Sequence, residues 1–177
     1  MPHLYPLEAS DSASKALGKA ASPFRILACF FASYLMNLAT TSLDAIWCPD
    51  FVALTILFWS IRQPQSIGMI VPFFMGVLMD INQGSVLGQQ ALAYVVLTYL
   101  AFQLHRRLPW FNPIGQAMHL FPLLLTAQIV VMLVRFWFDG LWPSWGWFLQ
   151  SFTGALSWPV WIWLMQIKFK SRTSSEL

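Results

Sequence analysis

Residues 76–94 read GVLMDINQGSVLGQQALAY. Two apolar runs flank a carboxylate, Asp80, and within eight residues of it come Asn82, Gln83, Gly84, Ser85 and Gly88. An aspartate among glycines in so apolar a stretch has three readings: a catalytic or ligand site, a packing device, or a turn. The choice depends on the chain around it.

Of 177 residues, 58% are hydrophobic and 10% charged, and the mean hydropathy is +0.60. A soluble domain carries about 25% charged residues. The apolar excess lies in long runs, which predicts an all-α integral membrane protein with several spans. Ten Trp and fifteen Phe fit that class, because indoles collect at bilayer interfaces. Residues 1–22 are polar, Ala/Ser-rich and without an apolar h-region, so they are expected to be a disordered cytoplasmic tail rather than a signal peptide.

Charge and turn clusters divide the apolar sequence into six expected helices, about 24–43, 46–61, 66–80, 86–105, 114–138 and 147–167. Together they form a transmembrane domain over 23–170, with a short cytoplasmic tail at 171–177. Pro49 is expected in the first turn of the second helix, and RQPQ (62–65) is expected as a turn. Six spans make a testable charge pattern, since cytoplasmic loops are rich in Lys and Arg. Lys15, Lys19, Arg25, Arg62, Arg106, Arg107, Lys168, Lys170 and Arg172 all fall on one side, nine of the ten basic residues. The opposite loops hold Asp44, Asp50, Asp80 and Asp139 and no base. The expected topology is therefore multi-pass with both termini cytoplasmic. Trp47, Trp142, Trp145 and Trp147 then mark the outer interface, and Trp59, Trp110 and Trp163 the inner one. The basic residues meet anionic headgroups of the membrane lipid, so a pI near 9.1 calls for no nucleic acid.

The second and third helices are short for a bilayer of ~30 Å and the fifth is long, which predicts a compact, irregular bundle. Pro72, Pro122 and Pro159 are expected to kink the third, fifth and sixth helices. Cys29 and Cys48 should lie at opposite ends of the first hairpin, ~20 Å or more apart and beyond disulfide reach.

Gly68, Pro72, Gly76, Asp80, Gly84 and Gly88 recur at a period of four, which is one face of a helix. Such a stripe either packs the third helix at the centre of the bundle or receives a partner's helix. Gln150, Gly154, Trp158 and Pro159 form a second stripe of similar spacing. Asp80 opposes its own helix dipole and needs compensation. It either caps the segment after it by accepting from nearby backbone N–H groups, with Gly84 supplying a positive-φ turn, or pairs with Arg135, the one base inside a span. Asn37, Gln116 and Gln128 are read as interhelical hydrogen-bonding groups. His3, His105 and His119 show no metal spacing, and no nucleophile–base motif, paired catalytic carboxylates or phosphate loop occurs. Neither an enzyme nor a cofactor is expected.

With these motifs in place, a resemblance is apparent. Gly76, Asp80, Gly84, Ser85 and Gly88 match G-x-x-x-D-x-x-x-G-S-x-x-G, a pattern similar to the signature of the bacterial rod shape-determining MreD family. Pro49, near the start of the second helix, and the late G-x-x-x-W-P (Gly154, Trp158, Pro159) resemble the family too. The resemblance covers roughly 24–170. It implies a non-enzymatic inner-membrane scaffold and regulator of the cell-wall elongation machinery. Such a protein would bind the bitopic protein MreC, act on RodA and its transpeptidase partner, and connect indirectly to MreB filaments, maintaining rod shape through lateral peptidoglycan synthesis. It implies as well a six-helix fold resembling the S-component of energy-coupling-factor transporters. That fold brings an alternative, a small-molecule-binding membrane subunit similar to a vitamin transporter S-component; fold alone cannot decide between them.

Overall fold

The computed structural model describes residues 23–42, 47–106, 108, 111–140 and 145–170. The expectations for the tails at 1–22 and 171–177, and for Asp44, Arg107, Trp110 and Trp142, lie outside the described residues. The architecture is all-helical: α1 (Pro23–Ser42), α2 (Phe51–Arg62), the single turn α3 (Pro64–Ile67), α4 (Ile70–Gln83), α5 (Gln89–Leu104), α6 (Pro113–Asp139) and α7 (Leu149–Lys170), the last preceded by a 3-10 turn over Trp145–Phe148. Contacts run α1–α4–α5–α6–α7 around the bundle, and α2 touches α1, α5 and α7.

Two segments, Pro23–Thr41 and Ile114–Phe138, are long and apolar enough to cross a membrane, and only 22% of either hydropathy window is buried. In water such helices would have to hide in a core. Here they present Leu27 and Phe31 on α1, and Leu133 and Trp137 on α6, outward. Phe73 and Phe74 on α4 and Phe152 and Leu156 on α7 are exposed as well, whereas Ser33, Asn37, Thr55, Asp80, Gln89, Thr98 and Ser151 are buried. Apolar outside and polar-bonded inside is the arrangement hydrocarbon selects, because there every polar group must find a partner within the protein. The molecule is a membrane protein.

The centre of the bundle differs from the expectation. Val52 to Ile61 of α2 are buried without exception, so this helix, and not the one carrying Asp80, is the core. α2 is apolar on nearly all sides, and its Thr55 hydroxyl bonds inward, to Phe51 O and to Ser33 of α1. α4 buries one face only, formed by Pro72, Gly76, Met79 and Asp80. It starts at Ile70, after a break at Gly68 and Met69, so Pro72 falls in its first turn and does not interrupt it. Pro122 and Pro159 do lie inside α6 and α7. Pro49 precedes α2, whose N-cap is Asp50. Neither Cys29 nor Cys48 forms a disulfide.

The period-four glycines divide by role. A Cβ on Gly76 would lie 2.3 Å from Ala91 Cα and 2.4 Å from Ala91 N, so glycine there lets α4 and α5 touch backbone to backbone. Gly84 and Gly88 sit at φ +58° and +96° with open space around them, and they turn the chain between the two helices. Gly68 also lies in a turn with open space. The stripe is thus one packing contact and a set of turns, because α4 ends at Gln83 and does not carry the period onward.

Gly76→Ala is expected to cost about 1–3 kcal/mol or more by forcing two backbones apart. Gly84→Ala costs about 1–2 kcal/mol through left-handed strain alone. Thermal unfolding of the purified protein in detergent should show the larger fall in Tm for Gly76→Ala.

Candidate functional site

At one end of the bundle the C-termini of α1, α4 and α6 meet the N-termini of α2, α5 and α7. Helix starts carry unpaired N–H groups, and in a membrane these need acceptors from the protein. Two aspartates supply them.

Asp80, fully buried, takes four hydrogen bonds. Its Oδ1 accepts from Gln90 N (2.8 Å) and Ser85 Oγ (3.2 Å). Its Oδ2 accepts from Gly88 N (2.9 Å) and Ala91 N (3.5 Å). The carboxylate therefore caps α5 from the preceding helix and faces the positive end of the α5 dipole, which offsets its poor place on α4. The backbone carbonyl of Asp80 is engaged too, by Ser85 N at 3.2 Å, while Gly84 N bonds Ile81 O at 3.4 Å. That pair is a Schellman closure of α4, with Gly84 in the left-handed position. Gly76 lies one turn earlier on the same face. By admitting the first turn of α5, it brings those N–H groups within reach of Asp80.

Asp50 caps α2 through Ala53 N at 3.0 Å. It also accepts from Asn37 Nδ2 of α1 (2.7 Å) and Tyr94 Oη of α5 (2.6 Å). Asn37 Oδ1 in turn accepts from Phe51 N at 2.9 Å. One carboxylate and one amide thereby tie α1, α2 and α5 together. Charge-assisted bonds of this kind are about twice as strong as neutral ones.

Arg135 of α6 donates from Nε to Gln89 Oε1 at 3.2 Å. Its guanidinium carbon lies 4.2 Å from the ring centre of Trp147, a cation–π geometry. Asp80 and Arg135, expected as an ion pair, thus converge on one helical turn. Asp80 reaches it through the backbone N–H groups of Gln90 and Ala91, and Arg135 through the side chain of Gln89. Between α6 and α7, Gln128 donates to Trp147 O (3.1 Å) and Gln150 Oε1 (3.3 Å) and accepts from Ser151 Oγ. Lower down, Trp158 Nε1 donates to Gln116 Oε1 at 3.2 Å. Gly154 faces Leu124, 3.0 Å from where a Cβ would stand. The second stripe, with Trp158 buried and Pro159 within α7, is the α6-packing face of α7.

Between the converging ends lies an open cavity of about 440 Å³, lined among others by Asn37, Thr41, Cys48, Asp50, Gln83, Gln90, Arg135, Trp147 and Gln150. A smaller void of about 40 Å³ continues it past Asp50 and Tyr94 toward Ser151 and Gly154. A separate apolar groove of about 370 Å³ runs between α6 and α7 along Ile114, Ala117, Met118, Phe121, Phe152, Ala155 and Leu156.

The sequence pattern pointed to Asp80, Gly76 and Arg135, and to Gln89 and Gln90 as polar groups near the outer face, but missed the roles of Asp50 and Tyr94. For Asp50 a signal was present: an aspartate directly ahead of the run FVALTILFW is an N-cap signature. Tyr94 carried none, because its role rests on a contact 44 residues away in sequence. Among the described residues no group of His, Cys, Asp or Glu could hold a metal. His105 and His119 bond backbone carbonyls, of Phe102 and Gly115, far along the chain from both aspartates.

A family model described as rod shape-determining protein MreD matches residues 19–168. The chain is also similar to the Rod shape-determining protein MreD of Haemophilus influenzae (strain ATCC 51907 / DSM 11121 / KW20 / Rd). The two are 25% identical over 148 residues, which span 81% of this chain and 89% of that relative. No solved structure matches.

Asp80→Ala leaves the N–H groups of Gly88 and Gln90 without their acceptor, at a cost of about 3 kcal/mol or more. Tyr94→Phe removes one donor to a charged group and costs about 1.5–3 kcal/mol. Detergent unfolding curves should rank Asp80→Ala below Tyr94→Phe, and both below the parent.

Proposed function

The chain belongs to the MreD family of rod shape-determining proteins, and we propose that it acts as a non-enzymatic scaffold and regulator of lateral wall synthesis. The family match over residues 19–168 carries this reading, since it takes in every helix described but for the last two residues of α7. The chemistry of the polar end agrees with it. Both aspartates are committed to capping helices and tying them together, through backbone N–H groups and the side chains of Ser85, Asn37 and Tyr94.

In this reading the protein has six spans, with both termini in the cytoplasm of a bacterial inner membrane. The one-sided distribution of Lys and Arg supports that topology, as do the alternating directions of α1, α2, α4, α5, α6 and α7. The short α2 and α4 fit a locally thinned bilayer, and the bundle is of the S-component kind. Its partner is a bitopic protein of the MreC type, through which it reaches RodA, its transpeptidase and MreB filaments. The partner's transmembrane helix is assigned to the groove between α6 and α7. That groove is apolar, exposed toward lipid and floored in part by the small side chains Ala117 and Ala155, as close helix contact in membranes requires.

The test is complementation of a rod-shaped bacterium lacking its own family member, with cell shape read by microscopy. The parent chain restores rods. Ala117→Phe, which fills a partly exposed groove without entering the core, loses both rod shape and copurification with the bitopic partner while keeping the parental Tm. Retention of both in that variant moves the partner to another face. Failure of the parent chain to restore rods, when expressed and inserted at the native level, overturns the shape-determining reading.

A further inference from the structure

We infer that the helix received in the groove between α6 and α7 carries hydrogen-bond donors, hydroxyl or amide side chains, about one turn apart on its docking face. The inference rests on the assignment of a partner's transmembrane helix to that groove, and adds what the surface of that helix must offer.

Each wall of the groove contains a helical hydrogen bond that proline has removed. Pro122 lies inside α6 and Pro159 inside α7. Proline has no N–H, so the carbonyl four residues earlier loses its helical donor. Those carbonyls belong to Met118 and Ala155, and both residues line the groove. A Ser or Thr three or four residues further on could repair such a carbonyl. Those positions hold Phe121 and Pro122 on α6, and Trp158 and Pro159 on α7. The Trp158 indole is spent on Gln116 Oε1, and Ser157, two residues past Ala155, donates to Gly154 O at 2.9 Å. No side chain among the described residues donates to either carbonyl.

The two carbonyls stand level. α6 and α7 run antiparallel, Phe121 meets Phe152 edge to face with ring centres 6.5 Å apart, and Trp158 reaches Gln116. This register puts Met118 beside Ala155. Helix carbonyls point toward the C-terminus, so these two point opposite ways along the bundle. Donors that meet both are separated by about one turn, ~5–6 Å, the spacing of side chains three or four residues apart on a helix.

Depth decides what can supply them. Met118 falls within Ile114–Phe138, the stretch of α6 apolar enough to cross a membrane, and is 75% exposed. An acyl chain has no donor, so lipid in the groove would leave both carbonyls without the partner that backbone in hydrocarbon requires. A helix with Ser, Thr, Asn or Gln on one face supplies it, and Ala117 and Ala155 let that helix come close.

The test uses the purified full-length chain in phospholipid vesicles and two synthetic transmembrane peptides of Leu and Ala flanked by Lys. One peptide carries Ser at two positions four residues apart, the other Ala at both. Each bears a dansyl group, and binding is read by energy transfer from the protein's tryptophans. The Ser peptide should bind about threefold tighter for each bond made, the gain that an average interhelical hydrogen bond brings. Pro122→Ala combined with Pro159→Ala returns an N–H to each carbonyl, and the two peptides should then bind equally. A changed helix kink would shift both peptides alike and leave their ratio intact. Equal binding to the parent, binding of neither peptide, or a ratio that survives the proline replacements overturns the inference. Ala117→Phe should weaken both peptides. If it weakens neither, the groove assignment falls and the inference with it; if it weakens both while the parent shows no preference for Ser, only the donor requirement falls.

Discussion

The bond that the rest of the structure leans on is the one between the Asp80 carboxylate and the first turn of α5. It joins two antiparallel helices at a fully buried point, where the backbone N–H groups need an acceptor from the protein itself. Three backbone N–H groups and a serine hydroxyl converge on two oxygens. This geometry exists only because Gly76, a turn earlier, lets α5 come within van der Waals contact of the α4 backbone. Fixing the start of α5 also fixes Tyr94, one turn beyond Gln90, against Asp50. Asp50 in turn caps α2, the buried centre of the bundle. A sequence of dependence therefore runs from one glycine through two carboxylates to the core.

That sequence explains which parts of the fold were readable in advance. The long helices declared themselves by apolar length, and α1 and α6 fall within one residue of their expected bounds. The break around Gly84 was likewise marked by turn residues. The start of α2 was misplaced by five residues because the apolar Ile46 and Trp47 mimic helix. Asp50, the residue that sets the true start, was counted only as a charge. Period-four spacing suggested one continuous stripe from Gly68 to Gly88. Spacing alone cannot tell a glycine needed for contact from one needed for a positive φ, and only Gly76 proved to be the former. The choice of α2 as the core was also hidden. Its pattern is uniformly apolar, so no face is distinguished, and only the packing of its neighbours reveals that all its faces are covered.

The polar end and the apolar exterior are two results of one constraint. The helix starts gathered at this end carry N–H groups that recruit Asp50 and Asp80. Helices that do not end level leave space between them, which becomes the cavity. Polarity is thus concentrated at the helix ends, while the exposed flanks of α1, α6 and α7 are mostly apolar. The shape of the site is a by-product of helix length as much as of side-chain choice.

The two aspartates also differ in how far apart their partners lie along the chain, and this has a consequence for biogenesis. Asp80 finds every partner within 11 residues, so the α4–α5 hairpin can close as soon as both segments have left the ribosome, at small loop entropy. Asp50 must wait for Tyr94, 44 residues downstream. Until α5 arrives, Asp50 has only Asn37 and its own helix. The hairpin is therefore the natural first unit of assembly, and the arrival of the tyrosine is the step that locks α1 and α2 onto it.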